Sequence, residues 1–165
     1  MSPPSTTGTH PGSPLGGLLA IVGGVLTIAG LFIPWVTNNQ SDAGLSGWDL
    51  TSGDKGFIMS RGDLLTFKSL DPYFLLILGF LGIVIGLLLF TGISRSIARV
   101  VVLVAGLAIV GLLAYDWTSL SEVVSQNAPP EFEIATATGF YLSIAGGAVM
   151  AAASLMPAKK VKQAV

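Results

Sequence analysis

Three aspartates, Asp49, Asp54 and Asp63, fall within a glycine-rich stretch of 15 residues. Clustered carboxylates are hard oxygen donors of the kind that hold Ca²⁺. The stretch lacks the regularly alternating acids and terminal glutamate of an EF-hand loop, so it reads as a solvated acidic loop. Arg61-Gly62-Asp63 spells an adhesion tripeptide, which a turn ahead of a helix cap at Asp63 accounts for. His10 is the only histidine, and it stands in an N-terminal run rich in Pro, Ser, Thr and Gly, remote from any acid. No Ser/His/Asp set can be assembled around it, and no phosphate-cradling glycine loop precedes a soluble helix. Cysteine is absent, which excludes disulfides, thiolate metal sites, iron–sulfur clusters and cysteine nucleophiles. The residue types therefore name no catalytic, cofactor-binding or metal-ligating group, and the expectation is a protein that is not an enzyme.

What could position such a loop follows from the distribution of charge. The chain has 165 residues, 52% hydrophobic and 10% charged, with a mean hydropathy of +0.77. Soluble domains are nearer one-quarter charged. All nine Asp and Glu residues lie in two connectors: Asp42, Asp49, Asp54, Asp63 and Asp71 in one, Asp116, Glu122, Glu131 and Glu133 in the other. Arg95 and Arg99 lie in a short link between them, and Lys159, Lys160 and Lys162 in the C-terminal tail. With eight Lys and Arg in all, no basic face exists for nucleic acid.

Between these charged segments run four apolar stretches, at about 15–36, 73–93, 97–115 and 134–156. A helix needs about 20 residues to cross the hydrocarbon core, and backbone groups cannot be left unpaired in lipid. The predicted class is an all-α membrane protein: a four-helix transmembrane bundle over 15–157, with a small extracytoplasmic hairpin or loop element. Residues 1–14 form a disordered tail and 158–165 a basic tail. The first stretch is too long for a signal-peptide core and has no basic n-region, so it reads as a retained span.

Bases near helix ends stay in the cytoplasm. That places the connectors 37–72 and 116–133 outside and both termini in the cytoplasm, in an integral protein of a plasma membrane. Trp35, Tyr73, Tyr115 and Trp117 stand at the outer ends of the spans, where amphipathic rings favour the lipid–water interface.

In the first connector, residues 48–51 and 57–60 read as two strands around a turn at Gly53-Asp54-Lys55-Gly56, followed by a short helix capped by Asp63. In the second, Trp117, Leu120, Val123 and Val124 form an amphipathic stretch ending at Pro129-Pro130, either an interfacial helix or an extension of the third span. Small residues recur every fourth position in the last span, at Gly139, Ser143, Gly147 and Ala151. Such stripes let helices approach closely, within the chain or against a partner. Trp48, Asp49, Asp54, Gly139, Ser143 and Gly147 are thus the candidate interaction surface.

Pro34-Trp35 at the end of the first span, with Ser46-Gly47-Trp48-Asp49 beyond it, resembles small bacterial four-span membrane proteins with a Pro-Trp exit and a Ser-Gly-Trp outer loop. The layout is loosely similar to claudin-type proteins, although Gly47-Trp48 lacks an intervening Leu and the two claudin cysteines are missing. The bacterial resemblance implies a four-span protein of the bacterial plasma membrane, with no transferred active site.

Three functions fit these features. The first is a non-catalytic accessory or scaffold subunit of a membrane complex, whose partners are the bilayer and other membrane subunits or a second copy. The second is an envelope binding or sensing module using loop 37–72. The third is a channel or carrier for a neutral solute, since uncharged spans lack the groups that ion and proton pathways ordinarily use.

Overall fold

Pro34 dictates where the first helix ends. Proline has no N–H, and its ring clashes with the carbonyl four residues back. In the computed structural model, which describes residues 13–39, 41–52, 55–58, 64–66, 71–91, 95–128 and 131–156, helix α1 runs Pro14–Leu31 and stops short of it. The chain then continues as a strand, β1 (Pro34–Asn38), which pairs antiparallel with β2 (Ser41–Ser46). A single helical turn follows, α2 (Asp49–Ser52), then the short antiparallel pair β3 (Gly56–Ile58) and β4 (Leu64–Thr66). Helix α3 spans Asp71–Thr91, and α4 runs unbroken from Arg95 to Asn127. Strand β5 (Ile134–Thr136) leads into α5 (Thr138–Ser154).

The protein is mostly helical, and α1, α3 and α4 are each long and apolar enough to cross a membrane. The 17-residue α5 is a shorter apolar helix. Each helix packs antiparallel on its sequence neighbour, and α1 on α5, closing a ring in the order α3, α1, α5, α4.

Two glycine rows on α1 make these contacts. Gly16, Gly23 and Gly30 face α5, where a Cβ on Gly23 would sit 2.6 Å from the Gly146 carbonyl oxygen. Gly17 and Gly24 face α3, where a Cβ on Gly24 would sit 2.4 Å from the Gly79 carbonyl oxygen. The seven-residue repeat keeps each row on its own neighbour, and the absent side chains let backbones touch. From α5, Met150 reaches across the ring: its side chain lies against both Gly23 and Gly82, with 0% exposure. Two buried hydroxyls along the α1–α5 contact are satisfied locally. Thr27 donates to the Gly23 carbonyl (3.0 Å), and Ser143 to that of Gly139 (3.0 Å).

Several expectations are revised. The all-α class describes the bundle, but a three-stranded sheet, order β2-β1-β5, covers one end of it. The stretch 15–36 is helical only to Leu31, because Pro34–Val36 belong to β1. The stretch 134–156 is helical only over Thr138–Ser154, because Ile134–Thr136 pair with Val36–Asn38. The expected strand at 48–51 is the turn of helix α2, and the hairpin pairs 56–58 with 64–66, so Leu64 and Leu65 are extended rather than helical. Ser13, placed in the tail, is buried, and its N–H donates to the Leu89 carbonyl (3.3 Å). Of the two readings of the second connector, continuous extension is the one observed: at about 1.5 Å per residue, α4 is about 50 Å long. His10, Asp54, Asp63, the Arg61-Gly62-Asp63 triplet, Pro129-Pro130 and the basic tail 158–165 lie outside the described residues.

Candidate functional site

The sheet end of the bundle gathers most of the residues singled out by sequence. The end of α1 leaves carbonyls without intrahelical partners. Trp35 supplies one donor: its indole Nε1 donates to the Gly30 carbonyl at 2.8 Å, the group that Pro34 cannot reach. The backbone N–H of Trp48 supplies another, donating to the Leu31 carbonyl at 2.9 Å. Trp35 is 1% exposed and packs edge-on to Phe140 of α5, with ring centroids 5.9 Å apart. It is a core residue that caps a helix, not the interfacial ring expected from its position.

Gly47 is required by this arrangement. A Cβ there would fall 2.5 Å from the Trp35 ring, so the indole lies directly on the Gly47 backbone. The neighbouring residues form a reciprocal capping box. Ser46 Oγ accepts from the Asp49 N–H (3.2 Å), while the Asp49 carboxylate accepts from the Ser46 N–H (3.1 Å) and hydroxyl (2.7 Å). Lys55 pairs with the other carboxylate oxygen. Burial alone would raise the Asp49 carboxyl, but the hydrogen bonds from Lys55 and from the Ser46 hydroxyl and N–H outweigh it. The group is held below its ordinary value. Ser46-Gly47-Trp48-Asp49 is thus a structural unit that closes α1, starts α2 and presents Trp48.

Trp48 is the exposed tryptophan of this end, at 38%. Its ring lies between Phe32 and Tyr73, each with a centroid 5.6 Å away, making an aromatic ledge across the ends of α1 and α3. Trp117 is half-buried and packs on the far side of Phe140, at 5.9 Å. Tyr115 stands apart and exposed on α4. The sheet is tied to the second connector by Asn39, whose side chain donates to the Glu131 carbonyl (2.9 Å) and accepts from the Glu133 N–H (3.2 Å). Sequence reasoning missed Asn39, Phe32 and Phe140. Only the Ser46-x-x-Asp49 spacing carried a signal that capping chemistry could have exposed.

The small-residue stripe of α5 is not a free surface. A Cβ on Gly139 would meet the Ile33 carbonyl oxygen at 2.3 Å, and Ser143 is 0% exposed beside Thr27. Gly147 lies against Ile109 and Gly106 of α4. These three candidates are withdrawn from the interaction surface, because α1 and α4 already occupy the stripe. At the opposite end of the bundle, Arg99 donates to the Met156 carbonyl at 2.6 Å, closing the end of α5.

Chemically, the described part of this end offers aromatic faces, the pinned Asp49 carboxylate with the exposed Lys55 ammonium, and the further carboxylates of Asp71, Glu131 and Glu133. Among the described residues, no group of three or more His, Asp or Glu side chains is placed to hold a metal ion. The fold and this end together define the class: a small antiparallel four-helix bundle with three membrane-length helices and a sheet-capped end. No protein-family model matches the chain, and no curated protein is significantly similar to it.

Proposed function

We propose that the chain is an integral membrane protein that crosses the bilayer four times and acts without catalysis, as an accessory or scaffold subunit of a membrane complex. One observation carries the membrane reading: large apolar side chains stay exposed along the lengths of the helices, while glycines bring the helix backbones into contact. Glycines line the helix contacts, while Leu18, Val22 and Val25 of α1, Ile77 and Phe80 of α3, and Val104 and Leu107 of α4 are exposed. Water-facing proteins rarely expose apolar surface so continuously, whereas lipid solvates it.

Coextension of the helices supports four crossings. Helix α5 lies along α1 from the Gly30/Gly139 contact to the Gly16/Ala153 contact, so a bilayer that α1 crosses is crossed by α5 too. Arg95 and Arg99, in the first turns of α4 at the end opposite the sheet, together with the bases of the C-terminal sequence, favour a cytoplasmic placing of that end and of both termini. The non-catalytic role is supported by spans without Asp, Glu, Lys or His, with Arg99 at the edge of one, and by Met150 buried between α1 and α3. The exposed faces of α4 beyond Tyr115 and of the sheet end supply the outward contact surface.

Crosslinking of native membranes, purification and mass spectrometry are expected to recover other membrane subunits in fixed stoichiometry. Recovery of a lone monomer refutes the scaffold role. For orientation, a cysteine introduced at Ser52 is expected to react with an impermeant thiol reagent in intact cells, and one at Ser94 is not; the reverse pattern overturns the topology.

A further inference from the structure

We propose that Phe32, Trp48 and Tyr73 form a clamp that seats the sheet end on the boundary between lipid headgroups and acyl chains. This rests on the bilayer reading above and assigns Trp48 to lipid rather than to a soluble ligand. The height of Trp48 is set by its backbone: its N–H donates to the carbonyl of Leu31, the last residue of α1, at 2.9 Å. The indole therefore lies level with the end of a membrane-length helix, although it is 17 residues further along the chain.

The ledge also continues two exposed stripes. Val22, Val25, Ala29 and Phe32 follow one another at helical spacing along one exposed face of α1. Tyr73, Ile77, Phe80 and Val84 do the same on α3. The three rings close the gap between these stripes, with Trp48 in the middle. Next to Trp48 in the chain, Asp49 pairs with the exposed Lys55 ammonium. Apolar rings and a neighbouring charged pair are the environment an indole meets at a membrane interface. The capping box fixes the backbone on either side of Trp48, and Phe32 and Tyr73 pack on its ring.

The test uses the full chain in phosphatidylcholine vesicles whose acyl chains carry bromine either near the headgroup, at carbons 6 and 7, or deeper, at carbons 11 and 12. Emission from Trp48 is the difference between the wild type and Trp48→Phe. That difference is expected to be quenched about twofold more by the shallow bromines than by the deep ones, and to resist aqueous acrylamide. Tyr73→Trp places a second indole on the ledge and is expected to show the same order. A difference signal that acrylamide quenches and neither lipid does, or stronger quenching by the deep bromines, overturns the clamp. Vesicle flotation after alkaline carbonate separates the two ideas. A chain stripped from vesicles refutes the bilayer reading itself, whereas a chain that floats with Trp48 open to acrylamide refutes the clamp alone.

Discussion

The same substitution, glycine to alanine, is expected to have opposite effects at two positions. A Cβ on Gly30 would lie 2.3 Å from Ser143 Oγ, 2.7 Å from the Gly139 carbonyl oxygen and 2.9 Å from the Ser143 nitrogen. The hydroxyl can rotate, but the other two atoms are backbone. Restoring ordinary contact forces α1 and α5 apart by about 0.7 Å, and a gap of that size forfeits a quarter or more of each dispersion contact along it. Overpacking of this kind costs about 1–3 kcal/mol, against which alanine returns up to about 1 kcal/mol of helix propensity. Gly111 on α4 is exposed, and a Cβ there meets nothing within 4 Å. Gly111→Ala keeps only the propensity gain, about 0.5–1 kcal/mol. The propensity gain is common to both, so the two variants are separated by the overpacking cost, about 1–3 kcal/mol, or about 2–12 °C in Tm for a chain of this length. Thermal melts followed by circular dichroism in a mild detergent read the difference directly. Coincident melts, or a Gly30→Ala protein that melts above the wild type, would refute the backbone-contact account of the bundle.

Two further outcomes concern the sheet end. Because Asp49 is held below its ordinary value, its contribution is present above the usual carboxylate pKa near 4 and is lost as pH falls through the lowered value. Acid titration of Trp48 emission is expected to show a transition below about pH 4 that Asp49→Asn abolishes; a transition surviving that substitution assigns it to another group. Trp35→Phe keeps a buried ring but removes the indole donor to the Gly30 carbonyl, which retains the Ile33 N–H, at a cost of about 0.5–1.5 kcal/mol. Faster amide exchange over the last turn of α1 and a lower Tm are expected, and unchanged exchange there would show that the capping bond contributes nothing.

The helices were legible because lipid-length apolar runs bounded by charges have few other solutions. The strands were not, for a physical reason that differs at each one. Pro34 marked the end of α1, yet Trp35 and Val36 prolong the apolar run, and hydropathy alone carries no break there. Ile134–Thr136 becomes a strand only through Val36–Asn38, almost a hundred residues away, so no local pattern announces it. At Trp48–Thr51, alternation suggested a strand, but the Ser46–Asp49 capping box imposes a helical turn, which displaces the hairpin to 56–58 and 64–66. The candidate site was half visible. Trp48 and Asp49 do lie together, while the glycine stripe of α5, equally conspicuous in sequence, is consumed by its own neighbours.

The junctions between helices and sheet carry a mechanical consequence. Phe32 and Ile33 alone separate α1 from β1, and Ala137 alone separates β5 from α5, with the Ala137 N–H bonded to the Trp35 carbonyl at 2.7 Å. The strand pair is therefore a rigid continuation of the helix pair. Sliding α1 along α5 would shear the β1–β5 ladder, and a strand register moves only in whole residues, each step turning side chains to the opposite face. Small displacements of α1 along α5 are thus resisted by the ladder, and a load applied to the sheet is passed to the two helices it joins.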